Sequence, residues 1–210
     1  MAQLWQLISQ VVTEAQSMDL WEALAVILAL AYLLLAMKAS VWCWGAALAS
    51  TAIYTVLFWK VSLLMESVLN LYYMAMAFYG YWLWRRGGEQ QQGIAVSTWP
   101  WQRHLLLIVI TTILSWPVGW FMANHTHASF PYLDSVTTCF AVMTTWLVAQ
   151  KVLENWLYWV VIDLVSIYLY VSKGLMLTSL LFVLYVALAV GGYFLWRADW
   201  RAQQPSLVER

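Results

Sequence analysis

Charge is scarce in this sequence. Asp, Glu, Lys and Arg make up 10% of the 210 residues, and the ten acids balance the ten bases. A soluble domain usually carries roughly 25% charged residues. Such a composition excludes a soluble globular enzyme, a nucleic-acid binder and a disordered chain. Cysteine is nearly absent. Cys43 and Cys139 both fall inside apolar runs, so they read as small buried hydrophobes rather than as a disulfide or a metal pair. No His-Glu-x-x-His, Gly-x-Ser-x-Gly or Gly-x-x-x-x-Gly-Lys motif is present, which argues against zinc, serine and nucleotide chemistry. Residues 1–19 contain no Lys or Arg, so a cleavable signal peptide is not expected. Twin-arginine and lipidation motifs are missing too.

What the sequence does hold is apolar surface. Hydrophobic residues make up 64% of it, mean hydropathy is +0.71, and there are 16 Trp and 12 Tyr. Trp and Tyr favour membrane–water interfaces. A membrane-spanning helix needs about 20 apolar residues, and the apolar content supplies about six or seven of them. Seven apolar segments stand out, at 20–37, 41–59, 61–84, 104–123, 132–149, 156–172 and 175–196. Lys38, Lys60, Lys151 and Lys173-Gly174 mark most of the breaks, and a longer polar break runs from Arg85 to Arg103. Residues 1–18 are compatible with a short amphipathic surface helix. His125 and His127, in the break Asn124–Pro131, lack a third partner for a metal site. Trp116-Pro117 is expected to kink the fourth segment.

Positive charge orients such a chain. With seven spans, one side carries Lys60 and Lys173, and the other carries Lys38, Arg85, Arg86, Arg103, Lys151, Arg197, Arg201 and Arg210. The N-terminus is therefore expected outside and the C-terminus in the cytoplasm.

An internal repeat organises the chain. A shift of 112 lays the third segment on the seventh without a gap, with ten identities in nineteen positions ending in Gly-Tyr-x-Leu-Trp-Arg. The same shift pairs Trp44 with Trp156 and Glu22 with Asp134. Segments 1–3 and 5–7 then form two copies of a three-helix unit. A single linker helix restores the orientation of the second copy, so the copies become parallel repeats. Transporters use that arrangement, with the ligand site near the midplane between repeats.

Polar residues inside hydrocarbon are expensive and are functional candidates by default. Glu66, Asn70 and Tyr73 share one face of the third helix, at i, i+4 and i+7. Trp156, Trp159, Asp163, Ser166 and Tyr170 form a stripe on the sixth, with aromatic walls around one carboxylate. Thr138, Thr145 and Trp146, with Thr144 alongside, are candidates on the fifth. Asp134 at its start is expected to cap the helix. The repeat mates of Glu66, Asn70 and Asp163 are Thr178, Phe182 and Thr51. The scaffold is symmetric and its polar groups are not, as an asymmetric ligand would require. Acids without a matching base, walled by aromatics, suit a cationic ligand or a proton. An intramembrane aspartyl enzyme built on Asp134 and Asp163 is the rival class, though neither aspartate sits in a recognisable motif. Gly80, Gly191 and Gly192 serve either flexing or close helix packing.

Phe130-Pro131-Tyr132-Leu133-Asp134-Ser135, the block Lys151-Val152-Leu153-Glu154-Asn155-Trp156-Leu157-Tyr158-Trp159, and Trp21-Glu22-Ala23 with Tyr79-Gly80-Tyr81-Trp82-Leu83-Trp84 together resemble the PnuC-type vitamin transporters over residues 20–200. The resemblance implies a SWEET-like bundle of two three-helix units joined by a linker helix. It also implies facilitated diffusion of nicotinamide riboside, or of thiamine as in some relatives, with a cytoplasmic vitamin kinase trapping the product. Carried over from that family, ligand contacts would fall on Asn70, Asn155, Trp156 and Trp159. Many members carry Gln where Asn70 stands and Asn where Ala77 stands.

The expectation is thus an all-α polytopic membrane protein of seven helices in a 3+1+3 arrangement. It divides into an N-terminal segment (1–19), a first repeat (20–86), a loop and linker helix (87–131), a second repeat (132–198) and a cytoplasmic tail (199–210). The expected ligand is an aromatic cation, with no cofactor, no metal and no nucleic acid. Membrane lipid surrounds the chain, and a homo-oligomer is compatible with it. A sugar carrier is a second transporter reading, and would be indifferent to charge on the ligand.

Overall fold

A computed structural model describes residues 5, 8–9, 11–13, 16, 18–60, 64–88, 92–126 and 129–204. The surface helix expected within 1–18 lies largely outside the described residues, as do His127 and the side chain of Glu66. Among the described residues, seven long helices follow one another: α1 (Leu20–Met37), α2 (Cys43–Lys60), α3 (Leu64–Arg86), α4 (Trp101–His125), α5 (Pro131–Ala149), α6 (Asn155–Ser172) and α7 (Met176–Gln203). The protein is all-helical, as its composition requires, because in lipid each backbone polar group must be satisfied within its own segment. By length and composition, α1, α4, α5, α6 and α7 could each cross a membrane. Helices α2 and α3 are as long but less apolar on average than these five.

Local chemistry sets the boundaries. The Asp19 carboxylate accepts from the Leu20 N–H at 2.7 Å and caps α1. Pro131 opens α5, where its missing N–H costs nothing. Gly174, with φ +75°, closes α6. Ala39 and Lys151 adopt the left-handed conformation, with φ 49° and 50°, just beyond α1 and α5. They are repeat mates under the 112-residue shift, so the same strained turn occurs twice. Helix α4 runs unbroken through Pro117. Helix α7 extends to Gln203, past the apolar segment that ends at 196, because helical hydrogen bonding needs no hydrophobicity and Arg201 in its last turn favours the helix C-terminus.

Neighbours in sequence pack together within each half, α1 on α2 on α3 and α5 on α6 on α7, while α4 packs on α5. The halves meet through two crossed contacts, α3 with α5 and α1 with α7. Four buried tryptophans sit at this junction, each 5% exposed or less. Trp44 packs edge-on against Trp84, Trp84 against Trp196, and Trp196 edge-on against Trp156, at centroid distances of 5.3, 5.9 and 5.4 Å. Two of the indoles are also bonded across the junction. Trp84 Nε1 donates to the Ala149 carbonyl at 2.9 Å, and Trp196 Nε1 to the Ala36 carbonyl at 2.9 Å.

Close packing, rather than flexing, accounts for Gly80 and Gly192. A Cβ on Gly80 would lie 2.3 Å from the Trp44 ring, and one on Gly192 would lie 2.7 Å from the Trp156 ring.

An extended stretch between α3 and α4 straps the first half to the second. Ser97 N–H donates to the Lys151 carbonyl at 3.0 Å, and Leu153 N–H to the Ser97 carbonyl at 2.8 Å. The Lys151 ammonium donates to the Ile94 carbonyl at 2.9 Å and lies 4.5 Å from the centre of the Trp84 ring. Burial pulls its pKa below the ordinary value, against the opposing charge of Asp199.

Overpacking a filled core costs about 1–3 kcal/mol. Gly80→Ala and Gly192→Ala are each expected to lower the thermal unfolding midpoint in detergent. Gly45→Ala meets nothing within 4 Å and is expected to leave that midpoint unchanged or slightly raised. Equal midpoints for all three variants would show that the Trp44 and Trp156 rings yield freely.

Candidate functional site

Two adjoining cavities, of about 190 and 230 Å³, lie between the halves and share Ala29, Tyr32 and Trp159 as walls. The smaller is walled further by Trp44, Ser50, Thr51, Tyr73 and Thr145. The larger is walled by Trp156, Asp163, Phe182 and Tyr185 among others. Residues of α1, α2, α3, α5, α6 and α7 therefore converge on one place, and the linker helix α4 stays outside it.

The chemistry centres on Asp163. It is 4% exposed, and no hydrogen bond or cation is found for its carboxylate among the described residues. An unpaired ionised carboxylate at such depth is strongly disfavoured. It is stable when a proton or a cation joins it. The aromatic faces of Trp156, Trp159 and Tyr185 around it suit a cation of aromatic shape, through cation–π attraction of about 2 kcal/mol when desolvated. Trp156 Nε1 and Trp44 Nε1 are buried without a partner among the described residues, and each indole walls one of the two cavities.

Of the residues expected from sequence, Tyr73, Thr145, Trp156, Trp159 and Asp163 line these cavities. Tyr170 stands just behind, its ring 5.0 Å from that of Phe182. Asn70 is buried in α3, and Thr138 is half-buried in α5; neither reaches the cavity walls. Trp146 packs edge-on against Trp99 at 5.5 Å, beneath the strap. Asn155 is fully buried, its amide donating to the Val152 carbonyl at 2.6 Å while Oδ1 has no partner among the described residues. It shapes the entry to α6 rather than the cavity wall. Glu154 accepts from the Trp99 N–H and faces His104 at 3.6 Å, holding the strap.

Asp134 does not cap α5. It lies within the first turn, where its carboxylate pairs with Lys173 at 3.3 Å. Phe130 is the cap residue and makes no side-chain cap bond, so an ion pair between helix ends replaces the expected cap. Asp134 is thereby separated from Asp163 in role as well as in place.

Sequence reading missed Tyr32, Trp44, Ser50, Thr51, Phe182 and Tyr185. The repeat carried the signal for four of them. Trp44 is the mate of Trp156, Thr51 of Asp163, Tyr185 of Tyr73, and Phe182 of Asn70. Nothing in the sequence marked Tyr32 or Ser50. A larger cavity, of about 540 Å³, lies between α4, α5 and α6. Its walls are mostly apolar, and the Glu154 carboxylate among them is engaged by the Trp99 N–H and His104, so it does not offer the central site's chemistry.

Known proteins share this architecture. The family model described as nicotinamide mononucleotide transporter matches residues 19–198. The nicotinamide riboside transporter PnuC of Escherichia coli is 22% identical over 174 residues, covering 71% of this chain and 73% of that one. PnuC of Neisseria mucosa is 24% identical over 164 residues, covering 71% of this chain and 61% of the relative. The crystal structure of the vitamin B3 transporter PnuC superposes with a TM-score of 0.70 at 22% identity, over 93% of this chain and 88% of that one. The fold is therefore common to both.

Without ligand, the Asp163 carboxylate burdens the folded state. Burying an unsatisfied polar group costs about 1–3 kcal/mol, and more for a charge. Asp163→Asn is expected to raise the thermal midpoint of the ligand-free protein at neutral pH. A lowered midpoint would show that the carboxylate is a stabilising partner in the bundle.

Proposed function

This chain belongs to the nicotinamide mononucleotide transporter family, and we propose that it takes up nicotinamide riboside across the bacterial cytoplasmic membrane by facilitated diffusion. It is a multi-pass membrane protein, and its relatives are transporters rather than enzymes. The observation that carries the ligand reading is the buried Asp163, without a partner among the described residues, between the aromatic rings of a cavity formed by both halves. Nicotinamide riboside is an aromatic cation and answers that chemistry.

All seven helices cross the bilayer in this reading, as two parallel three-helix repeats joined by α4. The N-terminus lies outside and the C-terminus inside, where eight of the ten Lys and Arg residues fall. The halves rock about the central cavity to expose it alternately to each side. The crossed contacts of α3 with α5 and α1 with α7 are the surfaces on which they would move.

No ion gradient is required. One positive charge gains about 2.3 kcal/mol per 100 mV of inside-negative potential, which is roughly fifty-fold accumulation. A cytoplasmic kinase completes retention, because a phosphorylated product carries negative charge and is repelled by Asp163.

Calorimetry on the purified protein, with nicotinamide riboside against thiamine, tests the ligand. Binding of nicotinamide riboside that weakens at least tenfold in Asp163→Asn is expected. Unchanged affinity in a normally folded variant removes Asp163 from the site, and binding of thiamine alone reassigns the vitamin. In proteoliposomes, uptake is expected to rise with an imposed inside-negative potential and to need no sodium or proton gradient. Uptake insensitive to potential would exclude movement of a net charge.

A further inference from the structure

The two cavities are repeat mates of each other with different chemistry. Trp44, Thr51 and Tyr73 wall the smaller, where their mates Trp156, Asp163 and Tyr185 wall the larger. The shift thus replaces a carboxylate by a hydroxyl at an equivalent place, and Thr51 stands where the other half holds Asp163. A ligand filling both cavities meets a negative charge at one end and neutral groups at the other.

Hydroxyl geometry specifies the neutral end further. A hydroxyl has one proton to donate and two lone pairs to accept with. Thr51 Oγ1 donates to the Ala47 carbonyl at 2.8 Å, Ser50 Oγ to the Ala25 carbonyl at 2.8 Å, and Thr145 Oγ1 to the Ala141 carbonyl at 2.8 Å. All three protons are committed to the backbone, which leaves these residues as acceptors. Tyr32, Tyr73 and Trp159 also wall this cavity and carry O–H and N–H groups able to donate, beside the Trp44 indole, whose N–H is buried without a partner among the described residues. The walls therefore both accept and donate hydrogen bonds, at several points each. A group with several O–H donors that also accepts through the same oxygens fits this set. A hydrocarbon, or an anion that only accepts, does not.

We propose that the cavity walled by Thr51, Ser50, Thr145 and Trp44 is the subsite for a neutral polyhydroxyl part of the ligand, with its cationic ring held against Asp163. Thr51 is then a specificity-determining residue on α2. The inference rests on the nicotinamide riboside reading and adds an orientation of the ligand across the two halves. Selection works by unmet pairing. A ligand without hydroxyl donors leaves buried acceptors and a buried indole N–H unsatisfied, and sites built on hydrogen bonding reject such analogues strongly.

The test is calorimetry, by competition for weak ligands, on the full chain in detergent with nicotinamide riboside and its 2′,3′-dideoxy analogue. The unmodified protein is expected to prefer the riboside at least tenfold. Thr51→Val keeps the shape and removes the hydroxyl. It is expected to weaken the riboside about tenfold and leave the dideoxy analogue unchanged, so the preference falls toward one. Thr51→Ser keeps the hydroxyl and is expected to restore the preference. Asp163→Asn is expected to weaken both ligands together. The subsite is overturned if Thr51→Val binds the riboside as the unmodified protein does, or weakens both ligands equally while thermal unfolding shows an intact fold. Should the unmodified protein bind neither ligand, the nicotinamide riboside reading itself fails, and the subsite with it.

Discussion

The junction of Trp84 and Trp196 is the contact on which the rest of the structure depends. Two bulky indoles meet across the halves at 5.9 Å, and each sends its N–H to a carbonyl near the end of the opposite half's first helix. Helix ends leave carbonyls without intrahelical partners, and a buried indole N–H needs an acceptor. Each half supplies an acceptor for the other's indole. The two indoles are mates under the 112-residue shift, so the junction carries the internal repeat of the chain. Gly80 and Gly192 follow from it, since Trp44 and Trp156 fill the space a side chain would take.

The same indoles link packing to the cavity. Trp44 and Trp156 close the ends of the tryptophan row and also wall the two cavities. Their rings are satisfied as apolar bodies, while their N–H groups have no partner among the described residues. Trp84 and Trp196 are thus bonded across the halves, while their neighbours wall the cavities. Asp163 adds a buried carboxylate without a partner among the described residues. Such groups are costly in a bundle without ligand, and their concentration in one place is what distinguishes the central cavity from the larger apolar one beside α4.

Symmetry is broken in two places. Within the cavity, Thr51 and Asp163 differ at equivalent positions. Outside it, the strap between α3 and α4 binds only the second half's turn. Ala39 and Lys151 share the same left-handed backbone, but the lysine reaches the strap carbonyl of Ile94 and the face of Trp84. The specific block Glu154-Asn155-Trp156 divides its labour accordingly: Glu154 holds the strap, Asn155 the turn, and Trp156 the cavity wall. Three adjacent residues that sequence presents as one signature serve three different contacts.

Sequence by itself determined the helices, their order, the membrane character and the repeat, because apolar length and breaks at charged residues act locally. It also marked Asp163, Trp156, Trp159, Tyr73 and Thr145, since a polar or aromatic stripe on an apolar helix shows through helical period alone. Only the tertiary structure decided which face of each helix turns inward. It paired Asp134 with Lys173 instead of using it as a cap. It set Asn70, Thr138 and Asn155 away from the cavity and brought in Tyr32 and Ser50. Helical period places residues on a common stripe, but rotation about the helix axis is set by packing against the other half. In this protein that packing is governed by where four tryptophans can fit.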